Sequence, residues 1–115
     1  MMEIYLTVLA YNKIMNKKEA LEEFVRLLKK RYGEKIKEII LFGSFARGIY
    51  DEESDIDVLI VAKNISQKEI SELTWEILMK YGEVISAIVE DESEFEKHRD
   101  YSFHRAILKE GIKIG

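Results

Sequence analysis

Two short groups of residues in this chain are suited to chemistry: Gly43-Ser44, and Asp55-Ile56-Asp57. Ile39 to Phe42 form a β-branched and aromatic run that reads as a buried strand stopping at Gly43, with Ser44 where a helix would begin. A glycine there lets backbone approach an anion, Ser44 supplies a hydroxyl, and a helix start supplies N–H donors, so phosphate oxygens are the natural ligand. Val58 to Val61 read as the next buried strand, which Asp55 and Asp57 open. Residues i and i+2 of a strand share a face roughly 6.5 to 7 Å apart, close enough for both carboxylates to hold one Mg²⁺ or two bridged ions. Hard oxygen ligands suit magnesium rather than zinc. Gly43 to Gly48 has the outer spacing of a P-loop, but Ile49 and Tyr50 stand where Lys and Ser or Thr are required.

Several elements must position these groups. Asn16 with Glu19 reads as a capping box, followed by Leu21, Phe24, Val25, Leu28 and Tyr32 at helical spacing up to Gly33. A strand is expected over about 35 to 42 and another over 55 to 62. Ser66 with Glu69 forms a second capping box, for a helix whose buried stripe is Ile70, Leu73, Ile77, Leu78 and Tyr81 and whose stop is Gly82. Val84 to Val89 reads as a short strand, and Phe103, Ala106, Ile107 and Glu110 before Gly111 mark a last helix. Residues 1–12 fit an edge strand, a helix or a partner contact, since Ile4, Leu6 and Val8 alternate. The order α-β-α-β-α-β-α predicts one α/β domain over residues 1–115, with a three- to four-stranded mixed sheet packed with helices and residues 1–15 as its unassigned end.

Composition narrows the function. A chain of 115 residues fits one domain with a sizeable core and leaves no length for a second substrate-binding domain. A formal net charge of −4 argues against direct nucleic-acid binding, which needs a basic surface. Cysteine is absent, which rules out disulfides and is compatible with a reducing, cytoplasmic compartment. The apolar stretch near Met1 to Met15 is too short to span a bilayer and lacks a signal-peptide layout. Trp75 and the tyrosines are expected at core and rim positions rather than on a base-stacking platform.

The stretch from Gly43 to Asp57 resembles the signature of the DNA polymerase β-like nucleotidyltransferases, in which Gly-Ser is followed by ten residues and Asp-x-Asp. It is most similar to their minimal, MntA-like members, the antitoxins of HEPN/MNT toxin–antitoxin pairs. Phe45-Ala46-Arg47-Gly48 also fits, as do Glu94-Phe95-Glu96 and Ile107 to Gly111 near the end, so the likeness spans about residues 17–115. It implies an enzyme that transfers a nucleoside monophosphate, AMP from ATP, to an acceptor hydroxyl, with a tyrosine of a helical HEPN-type partner as the expected acceptor. Asp55 and Asp57 would then be the catalytic metal ligands for Mg²⁺, with Gly43 and Ser44 on the β- and γ-phosphates. Arg47, three residues beyond Ser44, is either a phosphate or acceptor contact or a solvated surface arginine.

One departure concerns a third carboxylate, which in the family comes from the strand after the second helix. Here Val84 or Ser86 falls at that place, and Glu83 and Glu90 at the strand ends are the acids left to reach a metal. That departure keeps a second function open, a nucleotide-binding antitoxin that blocks its partner by steric contact. Transfer to a small molecule is a third and weaker reading, since no pocket-forming extension is present. The chain leaves a homo-oligomer open. Arg99 and His104 carry the Arg-x-x-x-x-His spacing of the partner toxins' ribonuclease motif, but surface residues on a tail helix are the ordinary reading. His98 likewise has no metal-ligand companion in this reading, which argues against zinc.

Overall fold

The computed structural model describes the backbone of residues 2–48 and 54–115, and the side chains of residues 15–48 and 54–115. The first element, α1, is a single helix of 31 residues, Met2–Tyr32. It overturns the expected helix start at Asn16, which lies in mid-helix. No Gly or Pro occurs before Gly33, so nothing in the chain stops the helix from extending back through the alternating Ile4, Leu6 and Val8. Asn16 acts across the fold instead, donating to the Tyr81 carbonyl at 2.8 Å and to Glu83 Oε1 at 3.1 Å.

A turn of 3-10 helix at Gly33–Lys35 leads into β1, Ile36–Phe42, and then a single helical turn α2, Gly43–Ala46. Strand β2 is Ile56–Ala62, α3 is Gln67–Tyr81, and β3 is Ile85–Asp91. Two short helices follow, α4 at Glu92–Lys97 and α5 at Ser102–Glu110, before β4 at Ile112–Lys113. The reciprocal capping box of Ser66 and Glu69 is present at the start of α3, and Gly82 ends it in the left-handed conformation with φ 71°.

The sheet has four strands in the order β3-β2-β1-β4 and is mixed. β1 runs antiparallel to β2 with Phe42 opposite Asp57, and β2 runs parallel to β3 with Asp57 opposite Ser86. This agrees with the expected mixed α/β architecture. One face carries Ile39, Leu41, Ile56, Val58, Ile60, Ala62 and Ile85, packed against Ala20, Phe24 and Leu28 of α1 and Ile70, Leu73 and Ile77 of α3. The other face carries Ile40, Leu59 and Val61 beneath Phe95 of α4 and Ile107 of α5.

β2 is therefore covered on both sides, which is why its sequence is almost continuously apolar. Its exception is Asp57, only partly buried, on the α4–α5 face. Trp75 departs from its expected place, since it is 60% exposed on the outer face of α3 while Leu73 and Ile77 fill the core. Among the described residues, no helix is long and apolar enough to cross a membrane.

Candidate active site

Gly43 and Asp57 meet because β1 ends where β2 begins. Phe42 is the last residue of β1 and pairs with Asp57, so the turn at Gly43 passes beside the Asp57 carboxylate. Gly43 has φ 74°, a left-handed conformation that favours glycine. A side chain there would overlap Oδ2 of Asp57 and lie 3.1 Å from its Cγ. Ser44 is half-buried in α2, and Arg47 is exposed at its C-terminal cap, where its amide donates to the Gly43 carbonyl at 3.3 Å. Arg47 and Gly43 line a cleft of about 140 Å³ with Phe42, Phe103, Ala106, Ile107 and Glu110. Phe103, half exposed on α5, meets Phe42 edge-on at 6.1 Å between ring centroids. Sequence patterning assigned Phe103 and Glu110 only to a helix stripe, and their place beside Gly43 comes from the packing of α5 on the sheet. Residues 49–53, within the ten-residue link between Ser44 and Asp55, lie outside the described residues.

Burial raises the Asp57 carboxyl above its ordinary value of 3.8, and repulsion from the Asp55 charge raises it further. Among the described residues, neither carboxylate has a hydrogen-bond donor or cation as partner. Two such carboxylates are hard oxygen donors in search of a positive charge, a donor set that fits Mg²⁺, with phosphate and water oxygens free to complete its coordination.

The raised Asp57 carboxyl has a consequence for stability. Because Asp57 binds its proton more tightly when folded, the folded state holds more protons than the unfolded state between the ordinary aspartate value and the raised one. The contribution of Asp57 to stability should therefore fall as pH rises from about 4 through the raised value, and stay low above it. Urea unfolding of wild type and Asp57→Asn over pH 3.5 to 7 checks this, and the difference between the two should grow with pH.

Neither candidate for a third acid reaches these carboxylates. The residue opposite Asp57 on β3 is Ser86, on the same face. Glu90 pairs with Val61, four residues further along the strand, or roughly 13 Å away. It is held there by His104 Nε2 at 2.7 Å. Glu83 is engaged on the α1 side, with Oε2 2.8 Å from Lys17 Nζ.

Lys17 is a residue that sequence reasoning missed. It is 2% exposed, and its ammonium also donates to the Ser54 carbonyl at 2.8 Å, one residue before Asp55. Lys17 thus ties α1 to the chain that carries the two aspartates. In sequence it reads as one of many helix-surface lysines, and the one hint of burial is its spacing, three, seven and eleven residues before Ala20, Phe24 and Leu28 on the same helical stripe. Replacing Lys17 by Met should leave the largely covered Glu83 carboxylate without its cation and with only the Asn16 amide on it, costing about 3 to 5 kcal/mol and lowering Tm by roughly 10 to 20 °C. Thermal unfolding followed by circular dichroism measures it, and the Lys17→Met/Glu83→Leu pair should recover most of the loss.

Comparison with known proteins identifies the family of the chain. The nucleotidyltransferase domain family matches residues 21–114. A relative from Methanocaldococcus jannaschii, provisionally named a protein adenylyltransferase, is 53% identical over 97 residues, covering 84% of this chain and 96% of that one. A second protein of the same organism and description is 39% identical over 100 residues, covering 84% and 96%. Among solved structures, a provisionally named nucleotidyltransferase from Sulfolobus solfataricus superposes with a TM-score of 0.55 at 24% identity, over 90% of this chain and 83% of that one. A Shewanella oneidensis complex of a tri-AMPylated HEPN toxin with its MNT antitoxin matches with a TM-score of 0.52 at 18% identity, covering 84% of this chain and 70% of that one. At these identities the structures speak for the shared fold. The family match across most of the chain, together with relatives of nearly equal length, places this protein in the nucleotidyltransferase domain family, an enzyme family in which its relatives are described as protein adenylyltransferases.

Proposed function

We propose that this protein moves AMP from ATP to a hydroxyl of a small helical HEPN-type partner, with a tyrosine as acceptor, and thereby silences that partner as an antitoxin. The observation that carries the reading is the contact of Gly43 with Asp57, beside two carboxylates that have no protein partner among the described residues. Similarity to relatives described as protein adenylyltransferases, and to a solved complex of an AMPylated toxin with its antitoxin, supports the choice of donor and acceptor.

In this reading Asp55 and Asp57 are the residues that would hold Mg²⁺. When bound, the ion would neutralise charge on the triphosphate and lower the pKa of the attacking hydroxyl. Gly43, lacking a side chain, lets the polyphosphate lie against the backbone, and the Ser44 hydroxyl donates to a phosphate oxygen. Arg47 at the mouth of the cleft pairs with phosphate or steers the acceptor. The acceptor oxygen forms a bond to the α-phosphorus, the bond to the bridging oxygen breaks, and pyrophosphate leaves with the negative charge. The proton of the acceptor passes to solvent. Residues 1–115 serve as one nucleotidyltransferase domain in this scheme, and the partner supplies the rest of the acceptor pocket. The absence of cysteine is compatible with a cytoplasmic setting.

Incubation with α-labelled ATP, Mg²⁺ and the helical protein encoded beside it should label that neighbour at a tyrosine, as read by mass spectrometry. A folded, co-purifying pair that takes up no label would overturn the enzymatic reading. A second reading, an antitoxin acting by steric contact alone, is favoured by one observation: Ser86 rather than an acid stands opposite Asp57.

A further inference from the structure

At the far end of the α4–α5 face, Glu90, His98 and His104 converge, although they are spread over β3, the end of α4 and α5. One carboxylate oxygen and one ring nitrogen from each histidine all lie within 4.8 Å of one another. His104 Nε2 is 2.7 Å from Glu90 Oε2, and His98 Nδ1 is 3.5 Å from Glu90 Oε1. Ligand atoms on a tetrahedral zinc stand roughly 3.3 to 3.5 Å apart, given bonds of about 2.0 to 2.1 Å. The observed ligand atoms, 2.7 and 3.5 Å apart in two pairs and within 4.8 Å overall, bracket that spacing, and closing the set on an ion takes a movement of the more exposed ring, His98.

The surroundings are those of a metal site. The other nitrogen of His98, Nε2, lies 3.9 Å from Glu94 Oε2, so that a carboxylate stands behind the ligand, beyond hydrogen-bond distance but within reach after a small side-chain adjustment. The Phe95 ring is 5.7 Å from His104, and the Tyr101 ring is 4.8 Å from His98, giving the cluster an aromatic wall. His104 Nδ1 is buried without a hydrogen-bond partner. The histidine ring is therefore held by its packing and by Nε2 alone, which keeps that nitrogen aimed at the cluster.

We propose that Glu90, His98 and His104 form a site for a zinc-class divalent ion that staples the turn between α4 and α5 to the end of β3. Two imidazoles and one carboxylate select zinc or cobalt over magnesium, and three protein ligands leave a fourth position for water. The site is separate from the aspartates, because Glu90 lies four strand positions beyond Ser86, the partner of Asp57. It corrects the expectation that His98 has no ligand companion. The companions are eight residues before it and six after it, at no spacing that a helix or strand alone would bring together.

The test is titration of untagged, chelator-treated protein with CoCl₂ in millimolar Mg²⁺, which occupies hard oxygen sites and competes poorly at imidazole. One equivalent of Co²⁺ should give the intense visible absorption of four-coordinate cobalt, and Zn²⁺ should displace it. His98→Ala, at a partly exposed position that leaves the fold intact, should abolish the band. Glu94→Gln should weaken binding by about tenfold. Saturating Zn²⁺ should also slow hydrogen exchange at residues 98 to 104. Absence of a visible band, or a band unchanged in His98→Ala, would overturn the proposal and leave Glu90 and His104 as a plain buried hydrogen-bonded pair.

Discussion

Replacing Asp55 and Asp57 together by asparagine should reduce nucleotidyl transfer by about a thousandfold or more while leaving the protein folded and more stable than wild type. The first half follows from charge. Asparagine keeps the size and one carbonyl oxygen of aspartate but no negative charge, so in the proposed reaction Mg²⁺ would lose its anionic ligands, and with them the several kcal/mol of charge stabilisation it would bring to the transition state. The second half follows from Asp57, whose carboxyl is raised by burial and by the Asp55 charge. A group that is harder to ionise in the folded protein than in the unfolded one destabilises the fold at neutral pH, and the neutral amide removes that penalty. A gain in Tm with a loss of transfer is the signature of a site arranged for a ligand at the expense of the fold. If both quantities fell together, the aspartates would be structural. The same variant separates the two proposed modes of action, because neutralisation of the partner should vanish for an enzyme and persist for a steric blocker.

Gly43→Ala should lower transfer by about a hundredfold through geometry alone. The new Cβ would overlap Asp57 Oδ2 and lie 3.1 Å from Cγ and 3.3 Å from Cβ of the same residue, so the carboxylate must move by the order of 1 Å. Misplacement of a reacting group on that scale costs about 10²-fold in rate. Residue 43 also has φ 74°, which for alanine adds about 1 to 2 kcal/mol of backbone strain. Gly48 provides the control. It has φ 73°, and an added Cβ meets nothing within 4 Å among the described residues, so Gly48→Ala carries the strain without that collision. Initial rates with labelled ATP, beside urea unfolding of both variants, should show a loss of stability in each, the larger for Gly43→Ala, and a large loss of rate for Gly43→Ala only. Equal rates in the two variants would mean that the approach of backbone to carboxylate has no part in the reaction.

The chain itself determined the elements that frame this site. Gly43-Ser44 and Asp55-x-Asp57 stood out because both lie at the ends of apolar runs; a strand's period of two sets the face of Asp57 within β2, while Asp55 falls just before the strand that was expected to begin with it. The α3 helix was equally legible, since the Ser66–Glu69 capping box and the glycine at residue 82 act within a few residues of themselves. Local signals failed at Asn16, a residue with strong capping chemistry in a stretch that contains no breaker. Once the helix continued, its amide was free to bind Tyr81 and Glu83 instead.

Only the tertiary structure decided the rest, because it depends on pairs far apart in the chain. The strand β4 is two residues long and exists through its pairing with Ile40 and Leu41 of β1. Lys17 and Glu83 meet across 66 residues, and no periodicity in either segment announces a buried ion pair. The register of β3 on β2 set Ser86 rather than an acid opposite Asp57, and carried Glu90 away to the histidines. Side-chain chemistry at a strand end is a local property. Which carboxylate finds a lysine, a histidine or nothing is fixed by how the layers stack.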